Sequence, residues 1–306
     1  MRGVRLLQQL PWPGAAGVSL WDVSVGVAEG VGHPNFMVRA SAIGYSLMLS
    51  FFPAVILAFT LLSYLPTDRL RELLSNWVLQ SLPPATQPIV EAALMTTLQG
   101  RSTGLLILAL LSVLYFSVQA FTTLLLAFHR DQLDLYRRRN FLQRYASALV
   151  LFGALFGLVL LSLLITLSGR WGLMWLADVW PWFGQFSGPI QSVLLRTVSL
   201  GLLLTGVSTL YYLGPALIKR WRFFSAGSML ATGLLFLAEM GLKYYFTAFA
   251  SYDQIYGSLA ALIILMLWFF YISVVILMGY ELNVALYAAR QRVQAAQQMA
   301  EIRIRS

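Results

Sequence analysis

Charged side chains divide this chain into apolar stretches, each about as long as a bilayer is thick. Between Arg39 and Asp68 lie 28 uncharged residues, and between Arg101 and Arg130 there is no Asp, Glu, Lys or Arg. Between Arg144 and Arg170 lie 25 uncharged residues, between Arg196 and Lys219 lie 22, and between Asp253 and Glu281 lie 27. A sixth stretch, 223–250, is interrupted by Glu239 and Lys243. Crossing a hydrocarbon core takes roughly 20 apolar residues in a helix, the open-ended form that pairs its own backbone groups. The pattern predicts an all-α polytopic membrane protein with six transmembrane helices, at about 41–65, 104–128, 145–168, 194–216, 225–250 and 256–287.

The polar segments between these spans carry patterns of their own. Residues 1–40 form a basic N-terminal segment with no uninterrupted apolar core, so no cleavable signal peptide is expected. Within it, 19–31 predicts a short amphipathic helix, with Ser19 as N-cap and Leu20, Trp21, Val27 and Val31 facing lipid headgroups; a loose tail is the alternative. The connector 66–103 holds two amphipathic pieces, 68–81 and 86–99, split by Pro83-Pro84. Leu70, Leu73, Leu74 and Trp77 recur there at helical spacing, which predicts helices lying on the membrane. Segment 171–193 contains Trp171, Trp175, Trp180 and Trp182 among Asp178, Pro181, Gln185 and Pro189. Tryptophan favours the interface, so this reads as an interfacial loop or helix, with a re-entrant segment as the alternative. Residues 289–306 read as a helical extension into water.

Basic residues orient the spans. Of 21 Lys and Arg, 15 fall in the N-terminal segment, the second and fourth connectors and the tail. Positive-inside bias puts these in the cytoplasm, with both termini, and puts 66–103 and 171–193 outside. An even number of spans demands the same. Composition agrees: 59% of residues are hydrophobic, 11% are charged and the mean hydropathy is +0.73, which excludes a water-soluble enzyme. The net charge of +9 reads as topology, not as a nucleic-acid surface. Cysteine is absent, so there is no disulfide, thiol nucleophile or thiolate metal site.

Two runs resemble a known family. RASAIGYSLMLSFFP (39–53) looks like the opening of the first span in the YihY/BrkB family of bacterial inner-membrane proteins. YGSLAALIILMLWFFYISVVILMGYELNVAL (256–286) looks like its last span, with Tyr256-Gly257, Trp268 and Gly279-Tyr280-Glu281-Leu282-Asn283 in the expected places. The family commonly has Ala where this chain has Tyr280. Tyr212-Leu213-Gly214-Pro215 resembles the end of its fourth span, and the Arg-rich stretch after the second span fits too. The resemblance implies a multi-pass inner-membrane protein and brings two labels, ribonuclease BN and a virulence or serum-resistance factor. Neither specifies a mechanism. RNA cleavage needs positioned acids and bases or a metal held by several carboxylates and imidazoles. This chain has two histidines, His33 and His129, and no HxH, HxxE or DxD cluster. The sequence therefore argues against a ribonuclease, and no catalytic residue, cofactor or metal site is assigned.

Ionisable and amide groups inside spans mark the candidate functional positions, because they are costly in lipid. Glu239 and Lys243 form an i, i+4 pair in the favourable order. They read either as a self-neutralising pair or as the lining of a substrate path. Arg39 and Glu281 stand at equal depth on the first and last spans and can pair, as a staple or as part of a headgroup site. Asn283, two residues on, also sits near the cytoplasmic end of the last span. Gln119, mid-span, reads as an interhelical hydrogen bond or a cavity-lining group. Pro53 and Pro215 are candidate kinks. The leading functional expectation is transport or export of a lipid or other amphipathic molecule. The rival is a non-transporting scaffold that meets envelope proteins through 66–103 or 171–193. Membrane lipids are the expected partners, nucleic acid is not, and the sequence sets no oligomeric state.

Overall fold

The computed structural model describes residues 12, 17–64, 103–129, 139–179, 181–216, 222–248 and 258–305, with isolated positions between 72 and 91. Side chains are described for these except 62–63, 166–167, 169–192, 194–195, 242–248, 258–261, 301, 304 and 305. The amphipathic pieces of 66–103, including Trp77 and Pro83-Pro84, lie mostly outside the described residues, as does Tyr256-Gly257. So do the side chains of Lys243 and of the tryptophans in 171–193.

Seven helices and no strand make up the described residues: α1 Leu20–Val31, α2 Asn35–Ser63, α3 Thr103–Ala127, α4 Phe141–Val179, α5 Pro181–Leu213, α6 Ala226–Ala248 and α7 Ser258–Arg305. Four stretches among them are long and apolar enough to cross a membrane: 35–61, 103–127, 141–165 and 262–300. A shorter apolar stretch, 226–241, lies in α6. The protein is an all-helical membrane protein.

Helix lengths change the picture drawn from hydropathy. At about 1.5 Å per residue, α4 is about 58 Å long and α5 about 50 Å, well beyond a core of about 30 Å. The described backbone of 171–193 is helical, so the loop alternative is corrected: this segment is the tip of an α4–α5 hairpin. Pro181 does not break it, because it opens α5, where a missing N–H costs nothing. Pro53 lies inside an unbroken α2. Pro215 is no kink: α5 ends at Leu213, and Gly214-Pro215 terminates it. The last span and the tail are one 48-residue helix, α7.

Six of these helices close a ring. Each of α2 to α7 packs against its neighbour in the chain, and α7 returns to α2. α1 stands outside the ring, on α7. Ser19 accepts the Trp21 N–H as N-cap. The apolar stripe does not face headgroups, however. Val18 and Val23 are buried with Leu282, Ala285, Leu286 and Ala289 of α7, with Val27 packed against them. Gly26 and Gly30 make this possible, since a β-carbon at either would meet Ala285 or Glu281.

Candidate functional site

The ends of α3 and α5 and the starts of α2, α4 and α6 meet at one end of the ring, where Arg39, Arg139, Arg144 and Arg222 also lie; we call this the basic end. Helix termini leave backbone groups unpaired, and here side chains from other helices satisfy them. Arg39 Nη1 donates to the Ala127 carbonyl at the end of α3 (2.8 Å), and the Tyr280 hydroxyl donates to the next carbonyl, Phe128 (2.7 Å). Arg139 donates to the Gly214 and Leu213 carbonyls at the end of α5 (2.8 and 3.4 Å), where a cation also suits the helix dipole. At the start of α6, Ser225 and Ser228 exchange side-chain and backbone bonds in a reciprocal cap. Asn283 completes it, its Oδ1 accepting the Gly227 N–H (2.8 Å) and its Nδ2 donating to Ser225 Oγ (2.9 Å).

The run Gly279-Tyr280-Glu281-Leu282-Asn283 is the keystone of this end. Gly279 lets α6 approach so closely that a β-carbon there would meet the Gly227 carbonyl, Ala231 and the Tyr211 hydroxyl. Glu281 is 1% exposed and binds Arg39 Nη2 at 2.8 Å, with Gly30 of α1 against its other oxygen. Leu282 enters the α1 cluster. Inside the ring, Phe128, Tyr211 and Tyr280 fill the space between α3, α5 and α7. Phe128 stacks on Tyr280 with centroids 4.4 Å apart and meets Tyr211 edge-on at 6.0 Å. The Tyr211 hydroxyl donates to the Ile276 carbonyl at 2.6 Å. These aromatics plug the basic end.

A model of the family described as virulence factor BrkB matches residues 27–303. The chain belongs to that family. The protein of Bacillus subtilis named ribonuclease-like YfkH is 26% identical over 255 residues, 83% of this chain and 90% of its own. A UPF0761 membrane protein of Tolumonas auensis is 28% identical over 269 residues, 84% of this chain and 82% of its own. Another, of Alteromonas mediterranea, is 24% identical over 265 residues, 85% and 86% of the two chains. No solved structure matches the chain. As a BrkB-family member it is an integral membrane protein, and the run 279–283 that carries the resemblance is the run that locks the basic end.

The remaining candidates lie elsewhere. The Gln119 side chain is exposed on α3. In that stretch the hydroxyls of Ser46 and Thr123, 3.2 Å apart, link α2 to α3, while the Gln119 carbonyl accepts from Thr123. Glu239 is exposed on α6, in the half of the ring away from the basic end. His33 accepts the Asn35 N–H through Nδ1 at the start of α2. Among the described residues no group of three or more His, Asp or Glu is placed to hold a metal.

Beyond the plug the packing changes. On α5, none of the described side chains from 193 to 206 is buried, and on α6 none from 233 to 241 is. Each of these stretches runs two turns or more, over which a packed helix buries one face. α2 and α3 stay together there, with Phe59, Thr60, Ala109 and Val113 buried. No described side chain is buried over 45–58 of α2 or 152–165 of α4 either, so the ring is tightly packed at the basic end and less buried around most of its circumference towards the other. Sequence reasoning missed Phe128, Tyr211, Arg139, Ser225, Ser228 and Gly227, because their roles depend on which helices become neighbours.

Proposed function

We propose that the protein carries a lipid or other amphipathic molecule across the inner membrane. In this reading six helices span the bilayer, α5 and α6 among them, and the basic end and both termini face the cytoplasm. The positive-inside bias supports that orientation. One observation supports the functional reading: buried aromatics pack the basic end, while α2, α4, α5 and α6 bury no described side chain over 45–58, 152–165, 193–206 and 233–241. On α5 and α6 these stretches are mostly apolar and carry Arg196 and Glu239 as their charged side chains. A small hydrophilic ion needs a more polar lining, whereas an amphipathic molecule needs this mixture. The protein is read as non-catalytic, with no cofactor and no nucleic-acid partner.

The test is translocation of fluorescent lipids by the purified protein in proteoliposomes, with mass spectrometry of the lipids that co-purify. Enrichment of one lipid class and translocation above protein-free vesicles are expected; their absence overturns the reading. Glu239→Gln is expected to preserve expression and lower transport roughly tenfold, a loss of about 1.4 kcal/mol. The charge exchange Glu239→Lys with Lys243→Glu should not rescue it. Full activity of Glu239→Gln would reduce Glu239 and Lys243 to a self-neutralising pair. For topology, cysteines in place of Leu135, Trp221 and Ala300 should resist an impermeant thiol reagent in intact cells. Those in place of Ala85 and Gln185 should react.

A scaffold is the second reading, favoured by the α4–α5 hairpin and the exposed Met299 and Ile302 on the long α7 extension. Envelope proteins would then dock on 66–103 or on the hairpin tip, 171–193. Translocation by the purified protein with no partner present separates the two, since a scaffold moves no lipid on its own.

A further inference from the structure

Hydroxyls inside apolar helices ordinarily donate back to a carbonyl one turn earlier. Thr60, Thr122, Thr209 and Ser273, all buried, do so here at 2.7–2.8 Å. Ser208 of α5 and Thr232 of α6 do not. Their hydroxyl oxygens are buried without a hydrogen-bond partner, in residues 0% and 8% exposed. A buried polar group left unpaired is destabilising, so a seam built to stay shut would carry Ala and Val at these positions.

Helical phase puts both residues on the sides that α5 and α6 turn to one another. Ser208 is one turn from Tyr212, whose ring meets Phe223 in the connector just before α6 (5.8 Å). On α6, Gly227 and Ala231 face Gly279 of α7. At 100° per residue Thr232 stands about a third of a turn round from them, on the other packed side, and α5 is the other main neighbour of α6. Followed away from the basic end, the same faces carry Thr205, Gly201 and Thr197 on α5, and Glu239, two turns beyond Thr232, on α6. The least extensive packing between neighbouring ring helices is at this seam.

We infer that the α5–α6 seam is a headgroup track that parts at Ser208 and Thr232. The polar head of an amphipathic molecule would pass along Thr197, Thr205, Ser208, Thr232 and Glu239 while its apolar tails stay in the bilayer. The hydroxyls and the carboxylate select a headgroup that carries hydrogen-bond donors, either sugar hydroxyls or a primary ammonium. The inference rests on the transport reading and names the route and the headgroup chemistry.

The chain has no cysteine, so Ser208→Cys and Thr232→Cys, both near-isosteric, report on the seam. Leu277→Cys, equally buried but in the core of α7, is the control. In proteoliposomes of phosphatidylcholine, a small charged methanethiosulfonate should modify positions 208 and 232 at least tenfold faster than 277. Adding phosphatidylethanolamine or a monoglycosyl diacylglycerol should slow modification at 232 at least threefold, and the lipid that does so names the donor. Rates no faster than at 277, or insensitive to both lipids, overturn the inference. As a second measurement, Ser208→Ala with Thr232→Val should raise the thermal midpoint by about 2–4 °C, whereas a lower midpoint means that the hydroxyls hold the seam closed and overturns it. None of these readouts requires turnover. A seam that opens in a protein that moves no lipid refutes transport alone, and a transporter with a sealed seam refutes the route alone.

Discussion

Gly227 and Gly233 lie less than two turns apart on the same helix, and they stand in different environments. A β-carbon on Gly227 would collide with the Gly279 carbonyl and the Asn283 side chain. One on Gly233 would meet nothing within 4 Å. The contrast extends across the molecule: Gly30, Gly44 and Gly279 are pressed against neighbours, whereas Gly153, Gly157, Gly201 and Gly241 face open space. Two carboxylates repeat it, Glu281 buried against Arg39 and Glu239 exposed on α6. One end of the ring is built to stay together. Along α4, α5 and α6, the other half leaves room.

The largest effect expected at the closed end comes from its ion pair. Glu281→Ala leaves the largely covered Arg39 without its carboxylate partner and removes a contact under α1, which should cost about 3 kcal/mol. Arg39→Met with Glu281→Met together should cost less than Glu281→Ala alone, because no charge is stranded. Denaturation of the purified variants measures both. An additive double variant would mean that the pair is not coupled and that the closed end depends on its helix caps.

Next is the α6–α7 crossing. Gly227→Ala pushes a methyl into the backbone of α7, and overpacking of this kind costs about 1–3 kcal/mol. It should also disturb the Asn283 bond to the α6 N-terminus. Reduced yield and a lowered thermal midpoint are the readout. If Gly227→Ala were as stable as the parent, the two halves would not differ in the way the glycines indicate.

Much of this end was legible in the sequence, and the reasons it was incomplete are physical. Apolar length located the four stretches long enough to cross a membrane, since lipid demands about 20 residues whatever the neighbours. Arg39 and Glu281 were readable as a pair because depth in a span follows from counting. What covers a stripe does not follow from counting: the apolar face of α1 was assigned to headgroups, although it docks on α7. Gly26 and Gly30 were the available signal, since glycines costly to helix propensity often mark a close approach. Tyr280 looked like a departure at a position usually filled by Ala, yet its hydroxyl caps α3. The direction of Ser208 and Thr232 depends on helix order around the ring, which a single sequence does not encode locally.

Tyr280→Phe tests a smaller contribution. It keeps the stack on Phe128 and loses one hydrogen bond, leaving the Phe128 carbonyl unpaired, for about 1–2 kcal/mol. Transport should be unaffected if the plug works by shape, and a leak of small solutes should appear if the hydrogen bond holds the plug in place. Solute flux through proteoliposomes measured beside the thermal midpoint separates these outcomes.

The smallest effect has the opposite sign. Glycine inside a helix is destabilising by roughly 0.5–1 kcal/mol relative to alanine, through the freedom it loses on folding. At Gly233 a methyl group meets no atom, so Gly233→Ala should recover that amount and raise the thermal midpoint slightly. Gly201→Ala on α5 should do the same, for the same reason. The consequence for function is sharper than the gain in stability. Gly201 lies on the α6-facing stripe of α5 with Thr205 and Ser208, whereas Gly233 lies on the exposed side of α6. If cargo passes between these helices, Gly201→Ala should slow transport while Gly233→Ala leaves it unchanged, with both variants at least as stable as the parent. Equal transport by the two would mean that the space beside α5 is filled by lipid and not by cargo.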